Sequence, residues 1–270
     1  MKRLVNYIKL IQNENMKIYR RVGTWIMLSF IVLIPILVSL VVLLAGGDDD
    51  TTSWPLIMLE SYFLFSLIII FTVVVSSDTV AGEFSRGTIK LLLIRPWSRS
   101  AILLSKYIAT MMFALFFTIV AFIVTMLINL ALFGSTSDSN DLGGIVSTGI
   151  VGWGDVLQYY LYQFVTLIII VTFGFMMSSA FRSSGLAIGL SIGFLFAGNI
   201  ITGLFAMADK VWVKYVLFMH LDLTSYMDGG TGPIPSHPMT LGFSLGVLAA
   251  YFAIFNLISW TVFRKRDITA

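Results

Sequence analysis

The chain has 270 residues, 58% of them hydrophobic and only 11% charged, with a mean hydropathy of +0.93. Soluble domains are about 45–50% apolar and about 25% charged, so this composition excludes an ordinary soluble fold and points to a membrane protein. The absence of cysteine removes disulfides, thiolate metal sites and cysteine nucleophiles, and the net charge of +3 hides a dipolar layout along the chain, with no basic face for nucleic acid.

Residues 1–24 come first and are polar and basic. At 100° per residue, Leu4, Tyr7, Ile8, Ile11, Ile18 and Tyr19 fall on one side of a helix and Lys2, Lys9, Lys17 and Arg20 on the other, with Leu10 breaking the pattern. This predicts an amphipathic interfacial helix, basic face to the headgroups.

Six apolar runs follow, at 25–45, 56–75, 108–133, 159–179, 186–206 and 241–263. Each is close to or above the roughly 20 residues needed to cross about 30 Å of hydrocarbon. Backbone polar groups in lipid have to be satisfied within the segment, and the alternation of a barrel strand is missing, so the runs predict helices. The expected fold is all-α, a six-helix polytopic membrane protein. No small-residue cleavage site precedes the acidic turn after the first run, so that run is expected to be retained.

Between the runs, the connections differ in charge. The segment before the first run, the connection between the second and third runs (the 77–105 loop with Lys106), the connection holding Arg182 and the tail after 263 carry fifteen Lys and Arg, whereas the other three connections carry Lys210 and Lys214 alone. Basic connections stay on the cytoplasmic side, so both termini are expected there, in a multi-pass protein of the cell membrane. The opposite connections are acidic, with Asp48–Asp50, then Asp138, Asp141 and Asp155, then Asp209, Asp222 and Asp228.

The outer stretch 207–238 mixes Trp212, Tyr215, Phe218 and Tyr226 with polar residues and ends in GPIPSHP. It reads as a short helix over DKVWVKYVLFMHL capping the outer face, or as an aromatic belt anchoring a loop. Gly185, Gly189 and Gly193, and again Gly242 and Gly246, recur every four residues and predict close helix packing within the bundle.

Several chemistries fail on their motifs. A phosphate-binding loop needs Gly-Lys-Ser/Thr, and no Gly-Lys pair exists, so the chain is expected to be no ATPase itself. GFSLG, Gly242 to Gly246, fits the pattern around a serine nucleophile and makes a rhomboid-like intramembrane protease a rival. Ser244 would then need a histidine base, yet His220 and His237 lie in the outer connection and none follows Ser244 in the chain. Those histidines with Asp222 are a poor metal site on a long loop, and no catalytic or metal residue is assigned. Glu60 is the one ionisable residue inside a predicted span, near the outer end where water is within reach; Asn129, Asn199 and Asn256 are amides in spans three, five and six.

The stretch EFSRGTIKLLLIRPWSRS, Glu83 to Ser100, is both apolar and cationic. Span two can continue through Phe84, with Gly82 weakening the helix and Gly87 ending it. Thr88 can cap a short helix, Pro96 ends that helix, and Ser98 caps the next one. A short amphipathic helix set rigidly between two spans can carry a push from a soluble partner into the membrane, which makes a cytoplasmic coupling helix between spans two and three.

In these residues, Glu83, Gly87, Thr88, Leu91, Leu92, Pro96, Ser98, Arg99 and Lys106, the chain resembles the ABC-2 type permeases, the membrane subunits of ATP-binding-cassette exporters. The resemblance covers essentially the whole chain, from the basic amphipathic start to the long segment before the last span. It implies two copies of a separate ATPase subunit that binds ATP and Mg, no cofactor in this chain, and a second permease forming a homodimer or a paralogous heterodimer in the lipid bilayer. It makes Glu83, Arg86, Gly87, Thr88, Ile89, Leu91, Leu92, Pro96, Ser98, Arg99 and Lys106 coupling residues. Glu83 would then pair with Arg86 or a partner base, Arg99 with Glu83 or a lipid phosphate, and Ile89 and the leucines would fill a groove on the ATPase. By the same resemblance, spans two and five line a path with Glu60, Phe63, Asn199 and Thr202. The expected function is export of an amphipathic or lipid-like cargo, such as a peptide antibiotic or drug, by alternating access. A non-transporting membrane sensor or assembly factor is the other alternative.

Overall fold

The computed structural model describes residues 2–45, 53–88, 97–134, 152–206, 210–230, 232–233 and 238–265. Among the described residues, seven α-helices run in chain order: α1 (Lys2–Tyr19), α2 (Val22–Leu44), α3 (Ser53–Ser85), α4 (Arg99–Phe133), α5 (Trp153–Ala180), α6 (Ser184–Ala206) and α7 (Leu241–Lys265). No strand occurs among the described residues. α2 to α7 are six helices long and apolar enough to cross a membrane.

α3 sits at the centre and packs against α2, α4, α5 and α6, while α5 packs in turn against α7. Half of the apolar window of α3 is buried inside the protein but only 17% of that of α2, so α2 is peripheral. Its inward stripe is Thr24, Ile31, Pro35 and Ser39, spaced by one and two turns. α5 approaches α3 closely at Gly174, where an added Cβ would stand 2.3 Å from Ser76 Oγ of α3. The glycine strips predicted from spacing face the other way: a Cβ at Gly189, Gly193, Gly242 or Gly246 would meet nothing within 4 Å. Those strips lie on the outward faces of α6 and α7, because four-residue spacing makes a face smooth without fixing its direction.

α1 and α2 meet at a two-residue bend. Carbonyls at the end of α1 accept from α2 side chains: Thr24 Oγ1 donates to Ile18 O at 2.6 Å, which also accepts from Arg21 N at 3.3 Å, and Trp25 Nε1 donates to Tyr19 O at 2.9 Å. α1 turns Leu10, Glu14 and Ile18 toward the bundle. Leu10, which breaks the predicted face, therefore lies on the true inner stripe, and exposed Ile8 and Met16 lie outside it.

α3 runs on to Ser85 as its sequence predicts, and Gly87 follows with φ 70°, the left-handed conformation that suits glycine at a helix end. Ser98 caps α4, accepting from Ala101 N at 3.2 Å. The predicted coupling helix, with Ile89, Leu91, Leu92 and Pro96, lies outside the described residues, as do the aspartates 48–50 and most of the 134–154 connection. The stretch before α7 forms three 3₁₀ turns, Val211–Tyr215, Leu217–His220 and Leu223–Gly229, in place of one α-helix. Val213, Leu217, Met219, Leu223 and Tyr226 pack with Ile169, Phe173, Leu248 and Phe255, so the segment caps that end of the bundle. Trp212 and Tyr215 stay exposed on its rim.

Candidate functional site

The ends of α1, α3 and α4 converge where the chain enters and leaves residues 89–96. Glu14 and Lys17 share a face of α1, three residues apart. Glu83 stands in the last turn of α3, and Lys106 is two turns into α4. Lys106 Nζ donates to Glu14 Oε2 at 2.8 Å and to Glu83 Oε1 at 3.2 Å. Lys17 Nζ donates to Glu14 Oε1 at 2.8 Å and to Glu83 Oε1 at 2.9 Å. The four charges alternate around a closed ring with no net charge.

Burial makes this ring consequential. The side chains of Lys106, Glu14 and Glu83 are 2%, 4% and 9% exposed, and Lys17 forms the outer edge at 39%. Charges so enclosed are tolerated only when paired and hydrogen-bonded. Thr88 completes the set by donating its hydroxyl to Glu83 Oε2. A small cleft lined by Glu14, Lys17, Arg21, Thr79, Glu83 and Lys106 opens beside it.

A second tie lies alongside. Asp78 of α3 accepts from Arg21 Nη1 at 2.5 Å and from Ser184 Oγ at 2.5 Å, joining the α1–α2 bend to the start of α6. Ser85 Oγ accepts from Ser184 N at 2.9 Å and donates to Arg182 O at 3.1 Å. The end of α3 is therefore fastened on both sides.

Within the chain, the described residues pair differently from the pairings expected of Glu83, Arg86 and Arg99. Glu83 pairs with Lys17 and Lys106, whereas Arg86 turns to Asp78 at 3.9 Å and Arg99 Nη1 donates to Arg264 O at 3.3 Å, at the end of α7. Thr88 bonds the Glu83 carboxylate, so its hydroxyl is drawn back to α3. Lys17, placed on the headgroup side by periodicity, reaches inward because two carboxylates there compensate its charge. Glu14 is the residue the sequence reading passed over. Its signal was present: a lone carboxylate in a basic helix, three residues before a lysine.

For Glu14, burial alone would raise the carboxyl above its usual range, but the ammonium groups of Lys106 and Lys17 outweigh this and hold it below. Burial alone would lower Lys17, and its bonds to Glu14 and Glu83 outweigh that and raise it. A lowered carboxyl contributes stability that is present above the ordinary carboxylate range, about pH 4, and lost as pH falls through the folded value. The stability gap between the native chain and Glu14→Gln should therefore be widest at neutral pH and close in acid. Thermal unfolding in nanodiscs at stepped pH measures it; a constant gap would mean that the charge on Glu14 contributes nothing.

Two of the residues expected to line a path differ in exposure. Glu60 is enclosed at 1% exposure by neutral polar groups instead of reaching water, whereas Phe63 points outward. Thr202 Oγ1 donates to Gly198 O at 2.9 Å, and the Asn199 side chain lies outside the description.

At the opposite end, the fold joins two residues that sequence separation kept apart. His220 Nδ1 is 2.8 Å from Ser244 Oγ, and His220 Nε2 is 2.8 Å from Lys214 O. A carbonyl only accepts, so Nε2 carries the proton and Nδ1 accepts from Ser244. Tyr226 OH, 2.5 Å away, then donates to Ser244. Burial pushes the His220 imidazole below its usual range, against the pull of the Lys214 carbonyl. All three side chains are buried, and together they lock the segment before α7 to that helix. The histidine that the serine reading lacked is thus in place, delivered by a 3₁₀ turn.

Residues 26–269 match the model of a family described as protein of unknown function DUF2705. Two Bacillus subtilis proteins are similar. One, called uncharacterized protein YhcI, is 41% identical over 207 residues, which is 74% of this chain and 64% of YhcI. The other, called uncharacterized membrane protein YdbK, is 30% identical over 200 residues, 73% of this chain and 76% of YdbK. The chain thus spans less than two thirds of the length of YhcI.

Proposed function

The chain belongs to the DUF2705 family and is a multi-pass membrane protein, and from this we propose that it is the permease subunit of an ATP-driven exporter of the ABC-2 type. The observation that carries the reading is the ring of Glu14, Lys17, Glu83 and Lys106. It clamps both flanks of residues 89–96 to α1, α3 and α4, so a displacement of that stretch is passed to three helices at once.

In this reading the basic end is cytoplasmic, in the plasma membrane. Ile89, Leu91 and Leu92 dock in a groove on each of two ATPase subunits, and Gly87 and Pro96 set where the docking helix starts and stops. ATP and Mg stay with the partner. Closure of the ATPases moves the clamped segment and shifts the equilibrium between inward- and outward-open arrangements of two permeases. The outward glycine strips of α6 and α7 offer smooth surfaces for the second permease. Cargo is amphipathic or lipid-like.

Pull-down of the full chain from its native membrane in nanodiscs tests this. We expect a subunit with a Gly-rich nucleotide loop to copurify in roughly equal amount, and to be lost in an Ile89→Asp, Leu92→Asp variant that still inserts. Recovery of the chain without any nucleotide-binding partner would end the exporter reading. A second reading, hydrolysis at Ser244, has the His220 contact in its favour. It would be preferred if a fluorophosphonate labels the native chain and leaves Ser244→Ala unlabelled.

A further inference from the structure

Glu60 lies seven residues beyond Ser53, the first residue of α3, in a helix long and apolar enough to cross a membrane, and its bonding partners are neutral. Ser39 Oγ of α2 is 2.8 Å from Glu60 Oε1 and 3.3 Å from Asn129 Oδ1 of α4. Asn129 Nδ2 donates to Glu60 Oε2 at 2.6 Å and to Thr125 O at 3.0 Å. The Thr125 carbonyl only accepts, which fixes the Asn129 amide with its nitrogen toward that carbonyl and its oxygen toward Ser39. Ser39 and Asn129 are fully buried, and among the described residues no Lys or Arg pairs with Glu60. The titratable group facing the cluster from α5 is Tyr160, whose hydroxyl is 3.0 Å from Ser61 Oγ.

Counting protons separates two states. If Glu60 is a carboxylate, the single Ser39 hydroxyl proton has two acceptors, Glu60 Oε1 and Asn129 Oδ1, and one of these contacts is left with two oxygens and no hydrogen. One added proton resolves it. Glu60 Oε1–H donates to Ser39 Oγ, Ser39 Oγ–H donates to Asn129 Oδ1, and Asn129 Nδ2–H donates to Glu60 Oε2. Each bond of the loop then has one hydrogen, and no bare charge stands in hydrocarbon, where an unpaired carboxylate is costly.

We infer that Glu60, Ser39 and Asn129 form a one-proton binding site inside the membrane, the proton lying between Glu60 Oε1 and Ser39 Oγ. The site spans three helices, and its loop is complete only while α2 stays against α3 and α4. Movement of α2 away breaks two of the three bonds at Ser39 and lets the carboxyl pass its proton to water. The inference stands apart from the permease reading.

Infrared difference spectroscopy on the full chain in nanodiscs at neutral pH tests it. The expected result is a carbonyl band of a protonated carboxylic acid that shifts in deuterium oxide and is lost in Glu60→Gln. A glutamine closes the same loop, its amide donating to Ser39 and its oxygen accepting from Asn129, so that variant should fold. Ser39→Ala should keep the band and move its frequency. Absence of an acid band in the native chain, persistence of the band in Glu60→Gln, or an unmoved band in Ser39→Ala would each overturn the site.

Discussion

Lys106→Met should destabilise the folded chain by about 3–5 kcal/mol, the usual cost of removing one partner from a buried ion pair. The lysine ammonium is 2% exposed and holds Glu14 of α1 and Glu83 of α3 at once. Methionine fills much the same volume, so the loss reports charge and not a cavity. Two enclosed carboxylates would be left with Lys17 as their shared cation at the exposed edge. Equilibrium unfolding in mixed micelles measures the effect, and Lys106→Met with Glu14→Gln should lose less than the two single losses added together, because both act on one network. Strict additivity would show that Glu14 and Lys106 do not interact. Under the permease reading, the same variant loosens the flanks of residues 89–96, and coupling of ATP hydrolysis to export should fall even where the chain remains inserted.

Gly174→Ala should have the next largest effect, about 1–3 kcal/mol, as overpacking of a close helix contact. The new Cβ would stand 2.3 Å from Ser76 Oγ and 3.0 Å from Ser77 Oγ. Ser76 can rotate away only by giving up its bond to Val73 O, and Ser77 is held by Ser191 of α6 at 2.8 Å. Strain entered at α5 therefore passes through α3 to α6. Ser76→Ala removes the nearest blocking oxygen, while Cβ of residue 76 remains 3.4 Å from the added methyl, so the double variant should recover part of the loss and not all. Thermal midpoints of the two single variants and the double decide this. Equal midpoints for Gly174→Ala with and without the serine would mean that the contact is relieved elsewhere.

What the sequence made legible was whatever a local rule enforces. The six spans follow from the demand that backbone groups in lipid bond within their own segment. Gly87 and Ser98 mark helix ends because left-handed backbone and a side-chain oxygen at an N-cap are local requirements. The rotation of α1 was not legible. In a bilayer an apolar side chain is equally at home against lipid or protein, so polarity alone does not say which side of a helix meets the bundle. Periodicity puts Leu10 and Lys17 on the wrong side for that reason, and it gives Glu14 no side at all. The contact between His220 and Ser244 depends on where successive 3₁₀ turns lay the chain down, and no periodicity records that. Gly174 carries no repeat around it, yet it marks a close approach of α5 to α3, while the repeating glycines face outward.

The bend between α1 and α2 has a mechanical consequence. Because Thr24 and Trp25 of α2 bond carbonyls at the end of α1, the corner does not work as a hinge; the two helices form a bell-crank. One arm ends in the Glu14 and Lys17 grip on α3 and α4, and the other reaches Ser39, fifteen residues beyond Thr24 and so about 22 Å along the helix. A tilt of this rigid corner would therefore move Ser39 relative to Glu60 and Asn129, its partners in the three-residue loop.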